Sequence, residues 1–214
     1  MDFLFFLQPF YRWVYPDTIL AMTNLNSFTH TPQELIETRI STRSYQKQEI
    51  EPALLKGLNT FTLNLLRLFD TTLRVEILHI PSIQKDRDLK LGTYGIIRGT
   101  NYFIAAAHPQ GTLQLLNAGY ILELSILYAT DLGLSTCWLA GTFNRSAFSQ
   151  ALRLQPDETL PAIIALGYPR KQAFNLMDAV FRNMARSRTR KTWDVLFFDR
   201  EFDHPLLPQV AGEY

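Results

Sequence analysis

The segment IETRISTRSYQ, residues 36–46, sets Arg39 and Arg43 one helical turn apart with Ser41 between them, near where a helix is expected to end. Two guanidinium forks with hydroxyl donors at a chain break match the oxygens of a phosphate. The pattern also fits a solvated helix end, because basic side chains near a helix C-terminus are favoured by the macrodipole alone. A second basic run, RSRTRK, carries Arg186, Arg188, Arg190 and Lys191. On an extended segment its alternate spacing puts three arginines on one side, a wall for a phosphate if the two clusters meet. A basic surface turn with no specific use is the other reading. In GLSTCWLAGTF, residues 133–143, an apolar middle leads to Gly141, which lets a flat ligand approach the backbone without a side chain in the way. Cys137 reads as a small buried residue, with no base near it in sequence, and Trp138 as core or as a stacking platform.

Other chemistries find little support. The glycines of GTYGIIRG precede a strand, whereas a phosphate loop needs a helix N-terminus after its glycines. No nucleophile elbow is present, and the acidic residues are isolated or lie on polar helix faces. Four histidines, at 30, 79, 108 and 204, are too scattered for a metal-ligand spacing.

Thr31, Pro32 and Glu34 supply an N-cap, a first-turn proline and a capping-box glutamate, so a helix is expected there, carrying Leu35, Ile36 and Ile40 inward. It delivers Arg39 and Arg43 to its far end. A second helix is expected after Pro52 through Ile50, Leu54, Leu55 and Leu58, with a third apolar piece in LNLLRLF. LRVEILHI alternates like a strand, and YGIIRGTNYFIAAAHP reads as two short β segments around a turn at Gly99. Leu113–Leu132 is the longest helix candidate, with a stripe of Leu116, Tyr120, Leu124, Leu127 and Tyr128 and with Gly133 to end it. Gly119 within it implies a close backbone or ring approach, or a simple loss of helix propensity. A shorter helix capped by Asn144, a central strand in LPAIIALGYP and a helix around LMDAVFRNMA complete the order. This gives an α+β layer sandwich, a mixed β-sheet flanked by helices, in one domain.

The chain of 214 residues holds 21 basic and 20 acidic side chains, so an anion site must be local and nothing in the charge balance points to nucleic acid. One cysteine excludes an intramolecular disulfide and suits a cytoplasmic setting. No run reaches the roughly 20 apolar residues needed to span a bilayer, so a soluble chain is expected. Residues 1–24 read as an extension, either poorly ordered or an aromatic-rich arm packing on a neighbour.

RISTRSY, GYILELSILYATDLGLSTCWLAGTFNRSAF, LPAIIALGYP and RTRKTWDVLFFD occur in this order, and as a set they resemble the flavin-dependent nitroreductase family. The likeness is greatest to its branch of fused, pseudo-dimeric members and covers nearly everything from Pro32 onward. It implies a nitroreductase-like domain over 25–204 and FMN as cofactor. Arg39, Ser41, Arg43, Arg188 and Arg190 are implied on the phosphate and ribityl chain, and Leu139, Ala140 and Gly141 along the flavin ring. Ile40 stands where members usually have a polar or basic residue, and Ala140 near a position that is often acidic. The implied reaction takes reducing equivalents from NAD(P)H through the flavin to a small-molecule electron acceptor, a nitroaromatic, quinone or similar. The flavin does the chemistry, so no side chain need act as a catalytic acid or base. The family segment that completes the flavin pocket from a partner subunit or fused half has no counterpart between Ile50 and Ile80. The resemblance therefore implies a homodimer or a second half beyond a tail at 205–214, and leaves open a non-catalytic interaction module with an incomplete site.

Overall fold

The computed structural model describes residues 27–65, 71–81, 93, 95–170, 191–199 and 201–209. The chain forms two compact units, 24–173 as one, and 1–23 with 174–214 as the other.

In the larger unit, helix α1 (Pro32–Thr38) starts from a complete capping box: the Thr31 hydroxyl accepts from the Glu34 N–H, and the Glu34 carboxylate accepts from the Thr31 N–H. Leu35 alone of its apolar residues is buried; Ile36 and Ile40 are exposed, which corrects the expectation that all three face inward. The helix stops after Thr38 because Arg39 takes an extended backbone. Arg43 therefore lies beyond the helix, in extended chain, and not one helical turn from Arg39.

Helix α2 (Pro52–Asn64) absorbs the first part of LNLLRLF, and residues 66–70 lie outside the described chain. Four strands, β1 (Arg74–His79), β2 (Tyr102–Pro109), β3 (Ser135–Leu139) and β5 (Ile163–Gly167), form a sheet in the order β1-β2-β5-β3, and the short β4 (Glu158–Thr159) pairs with β2. All these ladders are antiparallel; parallel pairing enters through the bridges Ser41–Thr136 and Ser44–Arg98. Ile96 and Ile97 lie in a turn, so YGIIRGTNYFIAAAHP makes one strand where two were expected.

Every residue of β5 is buried, and β2 is buried up to His108, because helices cover both faces of the sheet. Tyr102, Ile104, Ile164 and Leu166 face α2 and helix α3 (Thr112–Asp131). Phe103, Ala105, Ile163 and Ala165 face helix α4 (Arg145–Leu152), where Phe148 and Leu152 close the second core. Each fully buried Phe, Leu or Ile contributes about 1.5–3 kcal/mol. The inner face of α3 is Ala118, Ile121, Leu122, Ser125, Ile126 and Ala129, while Leu116 of the expected stripe is exposed. The rest of the stripe holds: Leu127 is buried, and Tyr120, Leu124 and Tyr128 pack at the margin of the core beside this face. The Ser125 and Thr62 hydroxyls meet at 3.0 Å, so the polar atoms between α2 and α3 are satisfied. Nothing lies within 4 Å of a Cβ built on Gly119, which favours the simple loss of propensity over close approach.

Asp131 ends α3, where the helix dipole disfavours a carboxylate. Its side chain is 2% exposed and accepts from the N–H groups of Thr29 (2.7 Å) and His30 (3.1 Å) and meets His30 Nδ1 at 2.7 Å. Burial alone would raise its pKa; the bonds from Thr29 and His30 outweigh that and hold it below the ordinary value of 3.8. A carboxylate that titrates lower in the folded state stabilises the fold above its unfolded pKa and ceases to do so as pH falls through the native value. Asp131→Ala is expected to cost about 2–3 kcal/mol at neutral pH. Thermal melts should show a Tm lower by roughly 2–4 °C per kcal/mol, with the gap narrowing in acid. A gap that stays constant down to about pH 2 would refute the linkage.

In the smaller unit, the described residues form helix α5 (Trp193–Leu196) and a return in which Phe198 bridges Pro205 and the Trp193 indole N–H donates to the Leu206 carbonyl at 2.6 Å. Among the described residues no helix is long and apolar enough to cross a membrane.

Candidate functional site

Residues 41–46 are stitched into one end of the sheet by bonds to three separate segments. The Thr42 N–H donates to the Thr136 carbonyl at 2.9 Å on the outer edge of β3. The Arg98 N–H donates to Arg43, and the Tyr45 N–H donates back to Arg98 at 2.8 Å. Beyond β5, the Gln46 N–H donates to Tyr168 and the Arg170 N–H to Ser44. Tyr45 anchors the segment: it is 2% exposed and its hydroxyl donates to the Ala165 carbonyl. Gly99, at φ +94, makes room for it.

Arg39 precedes this segment, half-buried, with Nε 3.7 Å from Glu123 Oε1. The other carboxylate oxygen of Glu123 accepts the Trp138 indole N–H at 2.8 Å. Ser41 is exposed, and beside it the buried Thr136 hydroxyl has no hydrogen-bond partner among the described residues. Arg39 and Ser41 thus flank the start of β3 on a sheet edge with hydrogen-bonding capacity to spare. Arg43 is half-buried in the same stitched segment.

The other end of β3 carries the second group of expected residues. Leu139 is buried, whereas Ala140 and Gly141 are exposed. From Thr136 to Ala140 the strand advances about 13 Å at ~3.3 Å per residue. Arg145 braces this turn: its guanidinium donates to the carbonyls of Ala140 (3.1 Å), Leu160 and Pro161 (3.4 Å) and lies 5.0 Å from the centre of the Phe143 ring. Neither Arg145 nor Glu123 is legible as a site residue from local sequence, because Arg145 also reaches across to Leu160 and Pro161 and Glu123 to Arg39. Arg186, Arg188 and Arg190 lie outside the described residues, so the expected meeting of the two basic clusters does too; Lys191 is exposed.

Two further titratable groups stand apart from this edge. Tyr102 donates to Glu49 and stacks on His79 at 4.4 Å, and burial followed by the Glu49 bond and charge pushes its hydroxyl up to about 12. Arg74 ties Glu76, Glu158 and the Leu152 carbonyl together, and its guanidinium holds Glu158 below the ordinary carboxylate value. Tyr102 ties β2 to the segment before α2, and Arg74 ties β1 to β4 and to the end of α4. Among the described residues Glu201, Asp203 and His204 bring ligand-type atoms within 4.8 Å of one another, all exposed, a grouping that histidine spacing alone did not reveal.

The family described as "Putative TM nitroreductase" matches residues 32–204. The chain belongs to this nitroreductase family. Its fold agrees with that of solved nitroreductases at low sequence identity. A nitroreductase family protein from Clostridium novyi aligns with a TM-score of 0.53 at 20% identity, over 65% of this chain and 85% of that one. An FMN-dependent nitroreductase from Clostridium difficile gives 0.53 at 19%, over 67% and 92%. A nitroreductase with bound FMN from Desulfitobacterium hafniense gives 0.52 at 16%, over 66% and 90%. No curated protein matches the sequence. For this nitroreductase, family and fold make an α+β protein of oxidoreductase type.

Proposed function

We propose that the chain is an FMN-dependent oxidoreductase that takes reducing equivalents from NAD(P)H and delivers them to a nitroaromatic, quinone or similar small acceptor. The observation that carries this reading is the bridge from Ser41 to the start of β3, with Arg39 and Arg43 two residues to either side of it and a bare turn at Ala140 and Gly141 on the far end of the same strand. A phosphate suits the first end, where a half-buried guanidinium makes no side-chain hydrogen bond among the described residues and the Thr136 hydroxyl is unpartnered. A flat ring suits the second, since nothing lies within 4 Å of a Cβ built on Gly141. The span of about 13 Å matches a ligand with a charged tail and a planar head.

FMN, when bound, supplies the hydride chemistry. The chain's part is to anchor the phosphate through Arg39, Ser41 and Arg43, with Arg188 and Arg190 assigned to the same role by resemblance. Leu139, Ala140 and Gly141 would orient the ring through backbone and limit access of water. The four ordered motifs support placement in the fused, pseudo-dimeric branch, with a second chain or half completing the pocket. Exposed Leu113, Leu115 and Leu116 near the start of α3 give such a partner an apolar surface to cover.

The purified chain should show oxidised-flavin absorption, natively or after FMN addition, and should then oxidise NADH or NADPH in the presence of a quinone. Absence of flavin absorption even with added FMN would overturn the proposal. Bound flavin without turnover would place the chain with the non-catalytic alternative.

A further inference from the structure

We infer that Glu123 is a placeholder counter-ion for Arg39, released when a phosphomonoester takes the guanidinium. This inference rests on the flavin reading above. Glu123 projects from α3 toward the start of the 41–46 segment and is fixed on one oxygen by the Trp138 indole at 2.8 Å. Its other oxygen stands 3.7 Å from Arg39 Nε, close enough for an ion pair and too far for a hydrogen bond. Among the described residues Arg39 makes no other side-chain contact with a carboxylate, so its donors are held near one negative charge without being consumed.

The magnitudes favour exchange over a permanent lock. Side-chain exposures of 27% for Arg39 and 44% for Glu123 make the pair partly solvated, and such pairs are weak. A phosphate offers the same guanidinium short, charge-assisted hydrogen bonds in a bidentate geometry, which are stronger. Glu123 thus keeps Arg39 compensated in the flavin-free protein and lowers the affinity for the phosphate end alone. Trp138 adjoins Leu139, so the carboxylate is not remote from the ring end, but the oxidised flavin ring carries no charge and its binding responds little to that of Glu123.

The test is Glu123→Gln, which keeps an acceptor for the Trp138 indole and removes the charge. Calorimetric titrations with FMN, riboflavin and inorganic phosphate would be compared for both proteins. The expected result is FMN bound about three- to tenfold tighter, inorganic phosphate shifted the same way, and riboflavin unchanged within about twofold. In an Arg39→Ala background the gain should fall by at least about threefold, the sign that Glu123 acts through Arg39. Weaker FMN binding in Glu123→Gln would overturn the inference and make Glu123 a positioning group for Arg39. An equal gain in both backgrounds, or an equal gain for riboflavin, would also overturn it. If neither protein bound either flavin, the flavin reading itself would fail, and the inorganic phosphate titration would still decide the exchange.

Discussion

Arg39→Ala is expected to weaken FMN binding about ten- to a hundredfold while riboflavin binding stays unchanged. Arg39 caps α1, is half-buried, and makes no side-chain hydrogen bond among the described residues, so its donors are available to a phosphate. A hydrogen bond to a charged group contributes about 1.5–3 kcal/mol, and each 1.4 kcal/mol is tenfold in affinity. Riboflavin lacks the phosphate and should not report the loss. The fold should survive the change, because Glu123 is 44% exposed on its side chain and can be solvated once its partner is gone. Fluorescence titration with the two flavins, alongside a thermal melt, checks this. Equal losses for both ligands would mean that the arginine acts on the fold or on the ring.

Gly99→Ala should destabilise the protein by about 3 kcal/mol or more, among the larger effects a single substitution produces. Gly99 sits at φ +94, where a side chain is strained, and its Cβ would overlap the Tyr45 carbonyl oxygen and come within 2.8 Å of the carbonyl carbon. Both are backbone atoms and cannot swing aside. Tyr45 is the buried anchor of the 41–46 segment, so relief of the clash moves the candidate phosphate end as a unit. The Tm should fall by roughly 6–12 °C for a chain of this size. Flavin binding should fall for FMN and riboflavin alike, in contrast to Arg39→Ala. Gly119→Ala is the matched control: that glycine is exposed on α3 with open space around it, and alanine should add about 0.5–1 kcal/mol of stability. An unchanged Tm in Gly99→Ala would show that the 43–46 segment is not wedged against the turn.

Where chemistry and contact partners lie close together in the chain, sequence and structure agree. The Thr31 and Glu34 capping box, the Asn144 cap whose side chain accepts from the Ala147 N–H, and the left-handed Gly133 that follows α3 are local devices. The alternation in RVEILH and the apolar run IIALG fix strands, because a residue's face in a strand follows from a period of two. Errors arise where burial depends on what packs opposite. Ile36 and Ile40 have the chemistry of core residues and end up in water because the seven-residue α1 buries only Leu35. Ile96 and Ile97 have the composition of a strand but lie in a turn, since the chain there serves Tyr45 and Gly99.

The candidate site divides the same way. By itself the sequence offered Arg39, Ser41 and Arg43 as residues whose donors match a phosphate, required any anion site to be local in a nearly neutral chain, and showed which family the ordered motifs resemble. Residue types carry that much, because guanidinium and hydroxyl donors have the same preferences wherever they stand. Only the tertiary structure decided that Ser41 bridges the start of β3, that Glu123, held by Trp138, faces Arg39, and that Arg145 braces the turn at Ala140. These partners are joined through sheet register and helix packing across 80 or more residues for the Arg39–Glu123 pair, a separation over which local propensity carries no information.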